Sequence, residues 1–469
     1  MTEKIEVDVA IIGAGTAGMK ALRQVRDAGK TFVLIERGEL GTMCARVGCI
    51  PSKAVLHASD LMAAVSGQYG NHAPQVSEIA NRLWLAARKT RDESVEAMAR
   101  ETRDLAGNGL LLGDARVTGT NELDVGGVIV RATAIVIATG SAPIVPEKWS
   151  ALGSGILTTD SLFDLDELPS SIGVIGLGAI GLEMGVALSR LGVRVTGADQ
   201  GNVIGAIRDP EIAAAARRQI GLEMTLWLDA PVELKRHASG FFALESGDTQ
   251  QRRAEVECVL VALGRRAALS GLGLENAGIE VNEHGKVEFD PQTMRIGNSS
   301  FYIAGDVDDD RPLQHEAADE GSIAGWNAAR HESNNAWQRR VPLSIAFTNP
   351  DIAAIGRPFD ELPAGTLVVD GKGDDNARSG IVGQNENKLR LYVEPHSGKL
   401  LGAALFCGAG EHLAHLLAWA VQREETVEGL LRMPFYHPTV EELVQTGLRN
   451  AASKLGNANG VELAPASRE

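Results

Sequence analysis

The stretch Val7-Asp-Val-Ala-Ile-Ile-Gly13-Ala-Gly15-Thr-Ala-Gly18 decides the fold of the N-terminal part of this chain. A β-branched apolar run followed by closely spaced glycines and a helical pattern is typical of a strand, a tight turn and a helix. Such a turn lets backbone N–H groups reach a pyrophosphate at the start of the helix. A second apolar run, 31–35, ends in Glu36, whose carboxylate can bind a ribose. Rather than a plain turn, the pattern predicts a dinucleotide site built from Gly13, Gly15, Gly18 and Glu36.

The same pattern occurs a second time. Residues 172–185 repeat the apolar run and the glycine turn, and the run 193–199 ends in Asp199. Two patterns predict two dinucleotide sites, unless the second copy is a repeat that has lost its ligand. The Asp199 carboxylate would repel a 2′-phosphate and bind a free 2′-hydroxyl, and residues 200–202 include no arginine. The second site is therefore predicted to prefer NAD to NADP and to use Gly176, Gly178 and Gly181.

Two cysteines five positions apart, Cys44 and Cys49, precede a helical pattern. In a regular helix, residues i and i+5 have Cα atoms about 8.6 Å apart, whereas a disulfide tolerates roughly 7 Å. A bridge would need a distorted backbone, for which we expect Gly48 to supply freedom in φ and a helix to start near Cys49. A thiolate at the N-terminus of that helix would have a lowered pKa. Two ordinary buried thiols are the alternative that spacing alone leaves open.

Gly48-Cys-Ile-Pro-Ser-Lys53 is the most specific motif of the chain. With the two glycine turns it makes the sequence resemble, over essentially its whole length, the class I pyridine nucleotide-disulfide oxidoreductases, which are flavoenzymes. The resemblance implies a redox-active Cys44–Cys49 disulfide, a tightly bound FAD at the first dinucleotide site and NAD as co-substrate at the second. It also implies a Lys53–Glu183 ion pair beside the flavin. Further cofactor contacts are implied for Ala115, Thr139, Gly140, Ser141 and Asp306 on FAD and for Gly264 on NAD.

The resemblance implies an α/β fold with two Rossmann-like dinucleotide-binding domains, for FAD and NAD, and an α+β dimerisation domain. We expect the FAD domain at 1–148 and 271–342, the NAD domain inserted at 149–270, and the dimerisation domain at 343–469. The apolar run 255–263 is predicted to form one buried strand, and 346–350 is predicted to be strand-like.

His437 is followed five residues later by Glu442. This spacing resembles the acid–base dyad of the family, in which the glutamate fixes the tautomer of the histidine. There the histidine reaches the disulfide of the other subunit, which implies a homodimer. A surface histidine beside a proline has no such role by itself, so the assignment depends on the resemblance.

Dihydrolipoyl dehydrogenase fits the resemblance best, which implies oxidation of protein-bound dihydrolipoamide with reduction of NAD. The partner would be a lipoyl-bearing carrier protein or a 2-oxo acid dehydrogenase complex. Two departures from that pattern, Ala-Arg-Val between the cysteines and Phe-Tyr ahead of His437, suggest an unusual carrier. A mercuric reductase would need a second cysteine pair near the C-terminus, and 456–469 holds none. A glutathione reductase would need basic residues around Asn202, and a flavoprotein scaffold of a multienzyme complex is the alternative outside catalysis.

Composition excludes other classes of function. The formal net charge of -16 argues against nucleic acid as a generic partner. No apolar run approaches the roughly 18 residues of a membrane span, and the N-terminus lacks the features of a signal peptide, so we expect a cytoplasmic protein. Four cysteines in 469 residues do not make a secreted disulfide framework. His412 and His415 without a carboxylate or cysteine partner make a poor metal site, so no metal is predicted.

Overall fold

The computed structural model describes residues 4–69, 74–229, 231–247, 252–456 and 462–463. Its N-terminal part begins with the predicted strand, turn and helix, since β1 (Lys4–Ile12) runs into Gly13 and α1 (Thr16–Asp27) follows. The chain continues through β2 (Phe32–Glu36), α2 (Met43–Arg46), α3 (Cys49–Tyr69), α4 (Pro74–Ala106), β3 (Leu110–Leu112), β4 (Ala115–Gly119), β5 (Glu122–Val125) and β6 (Val128–Ile137). The helix predicted near Cys49 is α3.

A second unit repeats the parallel β-α-β arrangement. Its elements are β7 (Ser141–Pro143), α5 (Glu147–Ser150), β8 (Ile156–Leu157), α6 (Thr159–Leu162), β9 (Ser171–Ile175), α7 (Ala179–Arg190), β10 (Arg194–Ala198), α8 (Pro210–Ile220), β11 (Thr225–Trp227), β12 (Val232–Arg236), β13 (Phe242–Ser246), β14 (Arg252–Val256), β15 (Cys258–Val261) and β16 (Arg265–Ala267). The sheet β11-β10-β9-β15-β8 is parallel, and β12, β13 and β14 form a separate antiparallel sheet.

The single strand predicted for 255–263 is wrong. The chain leaves the antiparallel sheet at Val256 and enters the parallel sheet at Cys258. Between them, the Glu257 carboxylate accepts hydrogen bonds from the backbone N and the Oγ of Ser170, at 2.8 and 3.0 Å. An apolar run indicates burial, but it does not reveal that the two halves of the run join different sheets.

The first sheet is completed by residues from far along the chain. Strand β17 (Phe301–Ile303) pairs in parallel with β6, and α9 (Gln314–Ala328) follows it. The remaining order is β3-β2-β1-β6-β5-β4. Helix α9 packs closely on α1, because a Cβ at Gly321 would lie 2.2 Å from the carbonyl oxygen of Ala17. The carboxyl ends of β1, β6 and β17 therefore meet at one edge, where parallel sheets bind their ligands.

The C-terminal part is an antiparallel sheet covered by helices, consistent with an α+β unit. It contains β18 (Leu343–Ala346), β19 (Asp351–Gly356), β20 (Leu367–Lys372), α10 (Ala377–Ile381), β21 (Lys388–Val393), β22 (Leu400–Cys407), α11 (Gly410–Gln422), α12 (Val427–Leu431) and α13 (Glu442–Lys454). Its strand order is β18-β19-β22-β21-β20. The segment 346–350 was predicted to be strand-like, but β18 ends at Ala346, because the Phe347 N–H donates to Glu183 and Pro350 has no N–H to donate.

Short 3₁₀ helices at Gly107–Gly109, Leu274–Ala277, Phe359–Glu361 and Gly373–Asp375 link these elements. Among the described residues, none of the helices combines the length and the apolar character that a membrane crossing requires. The fold class is as predicted, with two Rossmann-like units and an α+β unit. The domain boundaries at 148, 270 and 342 stay predictions.

Candidate active site

The two cysteines of the motif lie on separate short stretches of helix. Cys44 is on α2, whose cap Thr42 accepts a hydrogen bond from Ala45 N, and Cys49 is the first residue of α3. Gly48 between them was expected to supply freedom in φ, but it is not among the glycines with a positive φ. Glycine relieves crowding there, because a Cβ would lie 3.2 Å from the Cα of Cys44, closer than an ordinary van der Waals contact. The helical path is interrupted between α2 and α3, and the two thiols come within hydrogen-bonding reach of each other.

The thiols of Cys44 and Cys49 have different pKa values. A hydrogen bond from Cys44 and the positive charge of Lys53 outweigh the effect of burial and lower the pKa of Cys49 to about 7. The same hydrogen bond, together with burial, raises the pKa of Cys44 far above its usual range. Cys49 is therefore the thiol that ionises first, and Cys44 is the thiol that keeps its proton.

Lys53 stands one helical turn after Cys49 and forms an ion pair with Glu183 of α7. Its Nζ lies 2.9 Å from both carboxylate oxygens of Glu183 and 4.6 Å from the centre of the Phe347 ring. Glu183 is 4 % exposed and also accepts the Phe347 N–H at 3.0 Å. The pair thus joins the cysteine helix, the second Rossmann-like unit and the C-terminal part at one point. Phe347 was not among the predicted site residues.

The two acids that end the second strands hold the glycine turns in the same way. Glu36 accepts hydrogen bonds from Ala14 N at 2.8 Å and from Gly38 N at 2.9 Å. Asp199 accepts hydrogen bonds from Leu177 N at 2.8 Å and from Gly201 N at 2.9 Å. Because each carboxylate oxygen has a second lone pair, both acids can also accept a hydroxyl group from a ribose.

Both glycine turns leave room for a phosphate group. The turns begin with positive φ at Gly13 and Gly176, where a Cβ would collide with the carbonyl oxygens of Ala138 and Ala262 at 2.2 and 2.4 Å. The helix caps Gly15 and Gly178 instead border open space, because a Cβ on either residue would meet nothing within 4 Å. Neither α1 nor α7 has a side-chain cap, so N–H groups of the first turn remain available to an anion. The third glycines, Gly18 and Gly181, allow the helices to pack on these turns.

The first Rossmann-like unit also fits a flavin cofactor. The buried Oγ1 of Thr139 has no hydrogen-bond partner among the described residues, so it can bond a ligand at the end of β6. Gly140 next to it has a φ of 69°. Asp306, after β17, accepts a hydrogen bond from Ser141 Oγ at 2.9 Å. These positions follow two adjacent parallel strands and converge at the sheet edge that carries the first glycine turn.

Ala115 is the first residue of β4 and Gly264 follows β15, and their roles as cofactor contacts stay predictions. Gly113, two residues before Ala115, donates its N–H to the carbonyl oxygen of Glu36 at 2.9 Å, which brings the start of β4 to the end of β2. Gly264 has a φ of 100°, and its carbonyl oxygen accepts a hydrogen bond from Ile144 N at 3.0 Å.

Arg265 connects Ser141 with the segment of Cys44 and with α6, and it was not among the predicted site residues. Its guanidinium donates to the Oγ and the carbonyl oxygen of Ser141, at 2.8 and 2.9 Å. It also contacts Met43 Sδ beside Cys44 at 2.9 Å and Thr159 Oγ1 of α6 at 3.4 Å. A basic side chain at the start of the short strand β16 gives no local signal, so only the tertiary contacts reveal this bridge.

Arg217 is a second side chain that local sequence did not place. It comes from α8 and donates to the carbonyl oxygen of Asn202 at 2.7 Å. The loop after Asp199 therefore has an arginine beside it, although residues 200–202 include none. Only the charge of Asp199 therefore favours NAD over NADP at this site.

His437 and Glu442 form the predicted pair. Nδ1 of His437 lies 3.1 and 3.2 Å from the two carboxylate oxygens of Glu442. Burial raises the pKa of Glu442, but its bonds to His437 and to Thr439 N outweigh that effect and lower it. The His437 side chain is 71 % exposed. The dyad therefore presents its other nitrogen, Nε2, to the outside of the chain.

Comparison with known proteins identifies the family. The profile of the pyridine nucleotide-disulphide oxidoreductases matches residues 7–331, and that of their dimerisation domain matches 342–447. The chain is 31 % identical to a dihydrolipoyl dehydrogenase of Thermus scotoductus, over 96 % of this chain and 97 % of that protein. It is 29 % identical to a mercuric reductase of Streptomyces lividans, over 92 % of this chain and 93 % of that protein.

Solved structures show the same fold. The HOCl-induced flavoprotein disulfide reductase of Escherichia coli, in a Cu(II) complex, superimposes with a TM-score of 0.81 at 21 % identity, covering 95 % of this chain and 99 % of the other. This chain therefore belongs to the pyridine nucleotide-disulphide oxidoreductases, a family of oxidoreductases that use a flavin and a pyridine nucleotide.

Proposed function

We propose that this protein is a dihydrolipoyl dehydrogenase that uses FAD and NAD. The observation that carries the proposal is the unequal cysteine pair, in which the pKa of Cys49 is lowered to about 7 and that of Cys44 is raised. A disulfide between such residues has a good leaving group on one side only, because a thiol of lower pKa leaves faster. A thiolate that attacks Cys44 expels Cys49, so the direction of attack is built into the pair.

The proposed reaction begins at His437. Its imidazole takes a proton from one thiol of the substrate, and the resulting thiolate attacks Cys44 Sγ of the Cys44–Cys49 disulfide. The Cys44–Cys49 bond breaks, and Cys49 leaves as a thiolate held by Lys53. The second thiol of the substrate then attacks the mixed disulfide, which releases the oxidised cyclic disulfide and returns Cys44 as a thiol. One dithiol is oxidised and one disulfide is reduced.

The two Rossmann-like units supply the cofactor sites. We propose that FAD binds the first unit through Gly15, Glu36, Thr139 and Asp306, and that NAD binds the second through Gly178 and Asp199. Bound flavin supplies the chemistry that carries the electron pair from the cysteine dithiol to the nicotinamide. The Lys53–Glu183 pair keeps a charge fixed beside Cys49 while this occurs.

The protein is proposed to act as a homodimer. His437 is exposed within its own chain, and Tyr436 beside it and Trp419 on α11 are 82 % and 62 % exposed. An exposed histidine beside an exposed tyrosine, in a unit that also exposes Trp419, fits contact with a second copy of the chain, whose cysteine pair the histidine would serve. The dimerisation region 342–447 contains all of these residues.

Metal-ion reduction of the mercuric reductase type is less well supported. Apart from Cys44 and Cys49, the chain has only Cys258 and Cys407. Both are buried, and burial raises the pKa of Cys258 to about 12. Thiols that stay protonated inside the protein cannot hand a metal ion to the site.

The test is turnover of the FAD-loaded protein with dihydrolipoamide and NAD, followed as NADH. We expect steady formation of NADH. The kcat/KM of this reaction should exceed the kcat/KM with which the protein oxidises NADH or NADPH when glutathione disulfide or Hg²⁺ is the acceptor. The C49S variant should lose this turnover, and the C258S variant, which changes a buried thiol outside the site, should retain it. Absence of NADH formation by FAD-loaded wild-type protein would reject the proposal and favour a scaffold role.

A further inference from the structure

A buried group of charged side chains lies directly behind the Gly305–Asp306 turn. Three carboxyl groups belong to it: Asp308 is 4 % exposed, Glu316 1 % and Glu320 0 %. The side chain of Arg339, which comes from the segment after α9, is 10 % exposed. None of these residues enters the reaction proposed above, so the cluster needs a separate physical explanation.

Glu320 ties the cluster to the turn. One of its oxygens accepts the N–H of Gly305 at 2.8 Å, and the other accepts Nη2 of Arg339 at 2.5 Å. The same Nη2 donates to Glu316 at 2.7 Å, and Arg311 donates to the other oxygen of Glu316 at 3.3 Å. Two buried carboxylates therefore face two guanidinium groups, and their charges balance without Asp308.

Asp308 is the carboxyl group of the cluster that has no guanidinium partner in the described part of the chain. Its Oδ1 accepts a hydrogen bond from Asp310 N at 2.9 Å, while its buried Oδ2 has no partner among the described residues. A buried carboxylate oxygen without a donor is costly, whereas a protonated carboxyl group can itself donate to a neighbouring carboxylate. Burial, the charge of Glu320 and a hydrogen bond with Glu320 raise the pKa of Asp308 to about 8.

The other charged groups around the turn do not replace that proton. On the loop, the carboxylate of Asp306 accepts from Ser141, Asp309 pairs with Lys286 and Asp310 lies 3.7 Å from Arg311. On α9, His315 lies 3.9 Å from Glu316, and Asp319 pairs with Arg340 at the surface. Nε and Nη1 of Arg339 have no hydrogen-bond partner among the described residues, but the charge of Arg339 is already matched by Glu316 and Glu320. An ionised Asp308 would therefore add an uncompensated negative charge.

We propose that Asp308 is a positioning residue that, as a neutral acid bonded to Glu320, holds the Gly305–Asp306 turn in the form that binds the flavin cofactor. The inference rests on the proposed FAD site, because Asp306 is the residue of this turn that would contact the cofactor. When Asp308 loses its proton, two adjacent carboxylates repel each other, and the bond from Glu320 to Gly305 N is weakened. Cofactor affinity should therefore fall as the pH rises through the pKa of Asp308.

The size of the effect follows from the ionised fraction. If only the protein with neutral Asp308 binds well, the apparent dissociation constant equals the intrinsic constant divided by the neutral fraction. With the pKa of Asp308 at about 8, that fraction is about nine tenths at pH 7 and about one tenth at pH 9. The apparent Kd for FAD should rise about tenfold between these two pH values.

The binding experiment compares the FAD-loaded wild-type protein, D308N and D309N. The fraction of FAD that passes an ultrafiltration membrane at equilibrium gives Kd at pH 7 and pH 9. The asparagine side chain in D308N has nearly the shape of the neutral acid and cannot ionise, so this variant should bind equally at both pH values. D309N removes one negative charge from the same loop, at a φ of 56° that asparagine tolerates, and should keep the tenfold dependence. Equal pH dependence in wild type and D308N would overturn the proposal.

An infrared measurement tests the protonation independently of FAD binding. The difference spectrum of wild type minus D308N at pH 7 should contain the carbonyl stretch of a protonated carboxylic acid, and this band should disappear by pH 9. Absence of the band at pH 7 would overturn the neutral state of Asp308 even if FAD binds. Failure of the wild type to bind FAD at either pH would instead reject the proposed function and, with it, the role of the turn.

Discussion

Replacing Lys53 by methionine should raise the pKa of Cys49 and slow its alkylation. The hydrogen bond from Cys44 and the charge of Lys53 lower this pKa from 9.0 to about 7, so about half of the thiol is ionised at pH 7, against about 1 % of an ordinary one. A charge within about 4–6 Å shifts a pKa by about 1–3 units. Since the hydrogen bond from Cys44 remains, we expect a rise of about one unit, which lowers the thiolate fraction at pH 7 to about one tenth. The unpaired Glu183 carboxylate would act in the same direction.

The assay is carboxamidomethylation of the reduced protein by iodoacetamide across the neutral pH range, with Cys49 followed by mass spectrometry. The K53M variant should show a midpoint about one unit higher and a rate about fivefold lower at pH 7. K89M removes a lysine whose side chain is 75 % exposed and should leave the profile unchanged. Adding E183Q to K53M should return the midpoint part of the way. Identical profiles for wild type and K53M, or faster modification of Cys44 than of Cys49 at pH 7, would refute the reasoning.

The remaining predictions concern the dyad, the nicotinamide site and the arginine bridge. H437Q should lower kcat for dihydrolipoamide oxidation by about 10²–10⁴-fold while flavin content is unchanged, as expected for loss of a general base; a rate within about twofold of wild type would remove His437 from the mechanism. D199N keeps an oxygen for Leu177 N but loses the charge, so the ratio of kcat/KM for NAD over NADP should fall at least about tenfold. A wild-type ratio near one would contradict the cofactor preference. R265M loses charge-assisted bonds to Ser141 worth roughly 1.5–3 kcal/mol each, and should unfold at a lower urea concentration than wild type; coincident curves would show that the bridge is not stabilising.

Local patterns predicted the parts of the fold that depend on near neighbours. The strand, turn and helix around Gly13 and around Gly176 form as expected, because the φ of these glycines and the apolar period act over a few residues. The start of α3 at Cys49 is another correct prediction. Where a prediction needed the partner of a strand, it failed, as at 255–263, since burial alone does not specify which sheet a residue joins.

Gly48 shows the same limit within the site. Its presence suggested a use of the freedom of glycine in φ, whereas in the structure Gly48 has no positive φ and its missing Cβ eases the close approach of Cys44. Glycine satisfies both needs, and the sequence cannot tell them apart.

By itself, the sequence determined that two Rossmann-like turns, each closed by an acid, share one chain with a cysteine pair at a helix start. Those are local features, and their residue types have few other uses at that spacing. Only the tertiary structure decided which distant groups meet: Arg265 at Ser141, Arg217 at Asn202, and Asp308 against Glu320. The segments of Ser141 and of Gly305–Asp306 meet because β6 and β17 are neighbours in a parallel sheet and end at the same edge, whereas Arg217 reaches Asn202 from α8 of the second unit. Which side chains are buried and which charges are paired are properties of the packed chain. The effects of desolvation and of neighbouring charges on a pKa depend on distances that the order of residues does not specify.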